Sequence, residues 1–263
     1  MRLTQPLRDT SVLMEERVVG GRQISVRDVK RLTEFFLQHF PTDRVVSESP
    51  SRIAGLAQFR DTKSLRNDTP EIINLRVLGQ EALVHQSRSV HAKAITAEHG
   101  VFSVVLTEPG AYTLRGAWVL IENPTVFLHH DRVFGGDTNA FLINGRASNR
   151  LLKWIAASLG QGVRFIHAPD YDPTGLSEFL RNHAILGERI QLFVPEDLAA
   201  QFARYGNRAL LLNKRHQEML ATLRKSQHPS VRHVVALMDS YNAGLEQEVL
   251  LLPTFSDTRS PNT

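Results

Sequence analysis

From residue 118 onward, apolar residues fall in short continuous runs separated by stretches with helical spacing. WVLI at 118–121, AFLI at 140–143, VRFIHA at 163–168 and RIQLFV at 189–194 have strand length. Runs without polar alternation predict strands buried on both faces. Between them the period lengthens. Leu151, Leu152, Ile155 and Leu159 share one face of a segment that Ser148 would cap and Gly160 would stop. Leu176, Phe179, Leu180 and His183 do the same ahead of Gly187. Pro195 then opens PEDLAAQFARYG, with acids in its first turn as the helix dipole prefers. Strands alternating with helices over short loops predict an α/β fold: a Rossmann-like, mostly parallel sheet flanked by helices.

The first 116 residues have a different texture. One amphipathic helix is clear, with Ser25 as expected N-cap and Asp28 in the first turn. Its apolar face runs through Val26, Val29, Leu32, Phe36 and Phe40 and stops before Pro41. A second helix-like piece at 50–59 precedes the polar run RDTKSLRND, and short strand-like and helix-like segments alternate over 72–106. The expected organisation is a smaller N-terminal α+β or winged-helix-like module for DNA binding or dimerisation at 1–116. A catalytic domain at 117–252 and a disordered tail at 253–263 complete it.

Composition narrows the chemistry. The chain has 263 residues and no cysteine, so disulfide scaffolds, thiol nucleophiles and cysteine zinc sites are excluded. Any metal must sit on carboxylates or histidines. No apolar run approaches the ~18 residues of a membrane span, and the charged N-terminus has no signal-peptide core, so a cytoplasmic location is expected. The formal charge is +4, and basic residues concentrate in one stretch: Arg204, Arg208, Lys214, Arg215, Arg224 and Lys225 against the single acid Glu218. Such a stretch either neutralises phosphates or forms a solvated helix face.

Function in an open parallel sheet gathers beyond the C-terminal ends of its strands. Two strands here end in acids: Glu122 after the first, and Asp170 and Asp172 after the third. A carboxylate directly after a buried strand needs a cation or water beside it. Residues two apart on extended chain point the same way, so Asp170 and Asp172 can share one ion. Oxygen ligands without sulfur suit Mg²⁺ or Mn²⁺. Less is expected of the other candidates. His129, His130 and Asp131 suggest a loop or surface group, Gly135-Gly136-Asp137 a turn, and Ser148 a cap rather than a nucleophile. His167 is expected to pack behind the acids, and Tyr171 either to orient a phosphate or to cover the sheet edge.

The series WVLIEN, FLINGRAS and VRFIHAPDYDPTGL resembles the Toprim domain shared by topoisomerases, bacterial primases and several nucleases. It is most similar to the branch that holds the A subunit of topoisomerase VI and the nuclease subunit of Wadjet (MksBEFG-type) condensin-like defence systems. There an "EN" glutamate follows the first strand and a D-x-D-x-x-G motif a later one; Glu122-Asn123 and Asp170 to Gly175 stand in those places. Pro169 departs from the family's usual glycine before the first aspartate. LEQE at 245–248 resembles an acidic motif near the C-terminus of the Wadjet nuclease subunit, and RDTKSL, with Arg60 and Lys63, faintly resembles its "SK" segment.

The resemblance implies a metal-dependent DNA endonuclease acting on plasmid DNA. Glu122, Asp170 and Asp172 would be the Mg²⁺ or Mn²⁺ ligands, and Glu246 or Glu248 would support a second ion or act as base. Arg60, Lys63, Arg204, Arg208, Lys214 and Arg215 would contact DNA. It further implies a homodimer working beside a condensin-like SMC ATPase with kleisin subunits. On a helical wheel Leu245, Val249 and Leu252 form a stripe with Glu246 and Glu248 on opposite flanks, so only one would reach the site. The topoisomerases of this branch use a tyrosine that precedes the Toprim domain. No tyrosine occurs in the first 111 residues here, which disfavours a covalent transesterase. No G-x-x-x-x-G-K-[ST] motor signature is present. The competing expectations are a non-catalytic Toprim module for DNA binding or assembly, and an RNA-processing or primase-like protein.

Overall fold

The computed structural model describes residues 5–18, 21–39, 71–106 and 109–252. The chain divides into two compact units at 70/71. In the first, a short helix α1 (Gln5–Asp9) precedes a hairpin of β1 (Leu13–Val18) and β2 (Gly21–Val26), and α2 (Val29–His39) follows. Ser25 and Val26 belong to β2, paired with Met14 and Leu13, so Ser25 is not the expected cap. That place is taken by Asp28, whose Oδ1 accepts from the Arg31 amide at 2.9 Å. A hairpin partner claimed the two residues that helical periodicity had assigned to α2. Phe40, the piece at 50–59, Arg60, Lys63 and the segment 253–263 lie outside the described residues.

The second unit, 71–263, is built on a six-stranded sheet. Its parallel part contains β8 (Ala117–Ile121), β9 (Asn139–Leu142), β10 (Arg164–Ala168) and β11 (Ile190–Leu192). Two antiparallel strands extend it, β3 (Ile72–Arg76) and β6 (Phe102–Val105), giving the order β11-β10-β8-β9-β3-β6. Between them lie β4 (Leu83–His85), β5 (Arg88–Ser89) and α3 (Ala92–His99), and β7 (Tyr112–Leu114) joins β4 and β5 in a small separate sheet. Residues 72–105 therefore help to build the main sheet, and the division falls ahead of the expected 116/117 junction. The architecture is α/β with a mixed, mostly parallel sheet.

Both faces of the parallel part of the sheet are covered, which is why β8, β9 and β10 carry continuous apolar runs. Trp118 and Leu120 pack with Leu151, Leu152, Trp154 and Ile155 of α6 (Asn149–Ala157). Their neighbours Val119 and Ile121 turn the other way, against Val126 and Phe127 of α4 (Pro124–Leu128). Ser148 caps α6 as expected, accepting from the Leu151 amide at 2.9 Å and donating to Glu71. A short α5 (Asp131–Phe134) leads into the Gly135–Asp137 turn.

Four further helices, α7 (Pro173–Leu186), α8 (Leu198–Tyr205), α9 (Lys214–Leu223) and α10 (Pro229–Tyr241), enclose a separate apolar cluster. It is centred on Phe179, Phe202, Val231 and Met238 and also takes in Tyr171 and Leu245. Among the described residues no helix is long and apolar enough to cross a membrane.

Candidate functional site

Adjacent parallel strands bring the acids together. β8 and β10 run side by side with Ile121 opposite Ala168, so Glu122 and the Asp170 loop emerge from neighbouring strands at one rim. Asn123, next in the chain, turns the backbone into α4, and its Oδ1 accepts from the amides of Thr125 and Val126 at 2.7 and 3.3 Å. After β10, Asp172 caps α7 through a 2.7 Å bond from the Gly175 amide. Gly175 is required by closeness rather than by a special dihedral angle. A Cβ there would run into the Asp170 carbonyl oxygen and the Pro169 ring. Gly175→Ala should thus displace the Asp170–Asp172 loop and cost about 1–3 kcal/mol. Thermal melting of the full chain checks this; wild-type stability would contradict it.

The acidic segment near the C-terminus reaches the same rim, but not as the expected helix. Leu245 forms an antiparallel bridge with Tyr171, and residues Gln247–Leu251 form a 3-10 turn. Leu245 and Val249 are buried as the wheel demanded, whereas Leu252 is exposed. Gln247 ties the site together, although no motif or periodicity marks it along the chain. It is fully buried. Its amide donates to Asp170 Oδ1 at 2.7 Å, its Oε1 accepts from the Asn123 amide at 2.9 Å, and its Nε2 donates to the Ala168 carbonyl. One side chain thereby connects the ends of β8 and β10. The neighbouring Glu248 accepts from Asn123 Nδ2 at 2.5 Å. Both glutamates are exposed. Only Glu248 is linked to the rim in this way; Glu246 begins the 3-10 turn.

The electrostatics are those of a crowded acidic rim. Burial pushes the Glu122 carboxyl up to about 8, with Asp172 and Glu178 adding repulsion. Burial likewise raises Asp170 to about 7, against the Gln247 bond, with Glu122, Asp172 and Glu248 adding to the rise. Asp172 is raised by burial, opposed by its bond from Gly175 and by His216. Glu122 Oε1 is buried and has no hydrogen-bond partner. Among the described residues no three His, Asp or Glu side chains form a ready set of metal ligands.

Around the acids, His167 is fully buried on β10, with its Nε2 3.6 Å from Glu122 Oε1. Burial lowers its pKa to about 3. Tyr171 is also fully buried and donates from its hydroxyl to the Phe193 carbonyl at 3.1 Å, so it covers the sheet edge. Its phenol is pushed further up by burial, out of reach of any nucleophilic part. Glu178, one turn beyond the motif, is clamped by Arg181 at 2.6 Å and Arg146 at 3.2 Å. His216 of α9 accepts or donates at Thr174 Oγ1 over 3.1 Å, tying the basic stretch to the aspartate motif.

His130 is buried, its ring nitrogens 2.9 and 2.8 Å from the carbonyls of Phe127 and Thr138. It lies in the turn between α4 and α5, the loop position expected, but is buried there and braces the α4–β9 connection, while His129 and Asp131 do not join it in a site. In the basic stretch, Arg224 is held by Asp239 in a two-pronged contact and Lys214 lies 3.9 Å from Glu218. The Arg204 guanidinium sits 5.3 Å from the Tyr205 ring centre. Arg208, Arg215 and Lys225 are exposed. No family model and no curated protein matches this chain.

Proposed function

We propose that the chain is a divalent-metal-dependent DNA endonuclease with a Toprim-type domain, acting as nuclease subunit of a condensin-like plasmid-defence complex. The observation that supports it is the gathering of Glu122, Asp170 and Asp172 past the ends of two adjacent strands, with a buried oxygen of Glu122 unpartnered. Buried acids that raise one another's pKa are costly, and a cation between them reverses the sign of that cost. All the donors are oxygens, which fits Mg²⁺ or Mn²⁺. Glu122, Asp170 and Asp172 would hold the ion. Once bound, such an ion polarises a phosphodiester, lowers the pKa of an attacking water and neutralises the leaving oxygen.

The chain's own residues position and transfer. Gln247 fixes Asp170 and the start of α4 as one body. Asn123 holds the Glu248 carboxylate at the rim, where it can accept a proton from water; Glu246 stays solvated. Arg208 and Arg215 extend away from the core and would follow the phosphate backbone without reading bases. Two copies would place one such rim against each strand of a duplex.

A second reading has its own support: Asp172 caps α7 and Asp170 accepts from Gln247, so both acids have structural tasks in a non-catalytic module. Incubation with supercoiled plasmid, and in parallel with RNA, separates these readings. The endonuclease nicks and linearises plasmid in Mn²⁺ or Mg²⁺, alone or with a condensin-like ATPase complex, and Asp170→Ala abolishes it. No metal-dependent cutting, with Asp170→Ala indistinguishable from wild type, leaves the non-catalytic module. Preferential RNA cleavage indicates an RNA-processing protein.

A further inference from the structure

Glu122 and His167 present two orphans to each other. Glu122 Oε1 and both ring nitrogens of His167 are buried without a hydrogen-bond partner. Their separation of 3.6 Å is just past hydrogen-bond range. Three buried polar atoms without partners in one place are rare in native proteins and call for an explanation. His167 cannot swing elsewhere. It lies on β10 between Ile166 and Ala168, its ring is fully buried, and it stacks beside Phe179 at 6.2 Å between ring centres. Glu122 follows the end of β8 and is the more movable of the two, with 12% of its side chain exposed.

We propose that His167 is a positioning residue for Glu122: its Nε2–H donates to one oxygen of the Glu122 carboxylate and so aims the other oxygen at the cation. This rests on the metal-dependent reading above and adds a residue to it. Nothing bonds Nδ1, so nothing opposes placing the single ring proton on Nε2. Ligating carboxylates are commonly oriented by such a hydrogen bond, and losing it typically weakens metal binding 10–100-fold. A closing movement of about half an ångström by Glu122 completes the bond.

Mn²⁺ binding to the full chain, followed by calorimetry and by the EPR signal of free Mn²⁺, tests the proposal. His167→Phe keeps the ring's volume and removes its nitrogens; His167→Gln returns an N–H at about the Nε2 position. His167→Phe should weaken Mn²⁺ binding about 10–100-fold, and His167→Gln should recover most of it. In the wild type, ¹⁵N-imidazole NMR with Mg²⁺ should show the proton on Nε2, a measurement that stands even if the Phe variant does not fold. Unchanged Mn²⁺ affinity in His167→Phe, or a proton on Nδ1, overturns the assignment. So does ¹⁴N coupling to bound Mn²⁺, which would make His167 a ligand. Absence of any Mn²⁺ binding by the wild type instead removes the underlying metal reading.

Discussion

Asp170→Asn and Glu122→Gln should each lower metal-dependent plasmid cleavage on the order of 10³-fold, since several kcal/mol of charge stabilisation depend on the held ion. Both substitutions preserve shape. Asn at 170 still accepts from the Gln247 amide through its carbonyl oxygen, so the loop should stay in place. Each removes one negative oxygen donor and little else. Glu248→Gln should be milder, because Glu248 meets the rim through Asn123 and is exposed. Cleavage rates with supercoiled plasmid at saturating Mn²⁺ decide this. A Glu122→Gln protein that cuts at the wild-type rate would remove the acidic rim from the chemistry.

The same substitution should stabilise the metal-free protein in alkali. The carboxyls of Glu122 and Asp170 have folded pKa values raised to about 8 and about 7, above their ordinary values near 4. A raised folded pKa means that the native state binds the proton more tightly. The stabilisation is complete below the unfolded pKa and is lost as pH rises through the folded one. Metal-free wild type should therefore lose stability between about pH 5 and pH 8, by a few kcal/mol as an order of magnitude. His167 acts oppositely on the acid side: its lowered pKa gives stability present above about 6.5 and lost on descending toward 3. Glu122→Gln should flatten the alkaline slope and raise the midpoint at pH 8 by a few degrees, at about 2–4 °C per kcal/mol. Melting curves with and without Mn²⁺ check both halves, because the ion should restore wild type and shift the variant far less. A metal-free wild type equally stable at pH 5 and pH 8 would show that the rim is not strained by its own charge.

These expectations separate what the sequence makes visible from what it hides. The parallel strands are legible because the middle positions of β8, β9 and β10 are covered on both faces, so apolar residues follow one another there without polar alternation. Glu122, Asp170 and Asp172 are legible for the converse reason: an acid that abruptly ends such a run has no place in the core. Gln247 was invisible. Its partner Ala168 is 79 residues away, and a buried glutamine carries no periodic signature. The C-terminal segment misled because Leu245 and Val249 fit a helical stripe as well as a bridge to Tyr171 followed by a 3-10 turn. The antiparallel place of β3 beside β9 could not be read along the chain, because a strand's neighbour in the sheet is set by tertiary packing and not by its own apolar pattern. The partner of Arg224, Asp239, lies on α10, so the basic stretch looked less neutralised along the chain than it is in space.

Proton release on metal binding is the most direct measurement of the central claim. At pH 6, carboxyls raised to about 8 and about 7 carry protons that a divalent ion must displace. Titrating Mn²⁺ into the full chain in buffers of different ionisation enthalpy should show one to two protons, as a rough figure, released per ion. The release should shrink in Glu122→Gln and in Asp170→Asn. Binding with no proton release, or identical binding by both variants and the wild type, would mean that the ion sits elsewhere and that these three acids do not form its site.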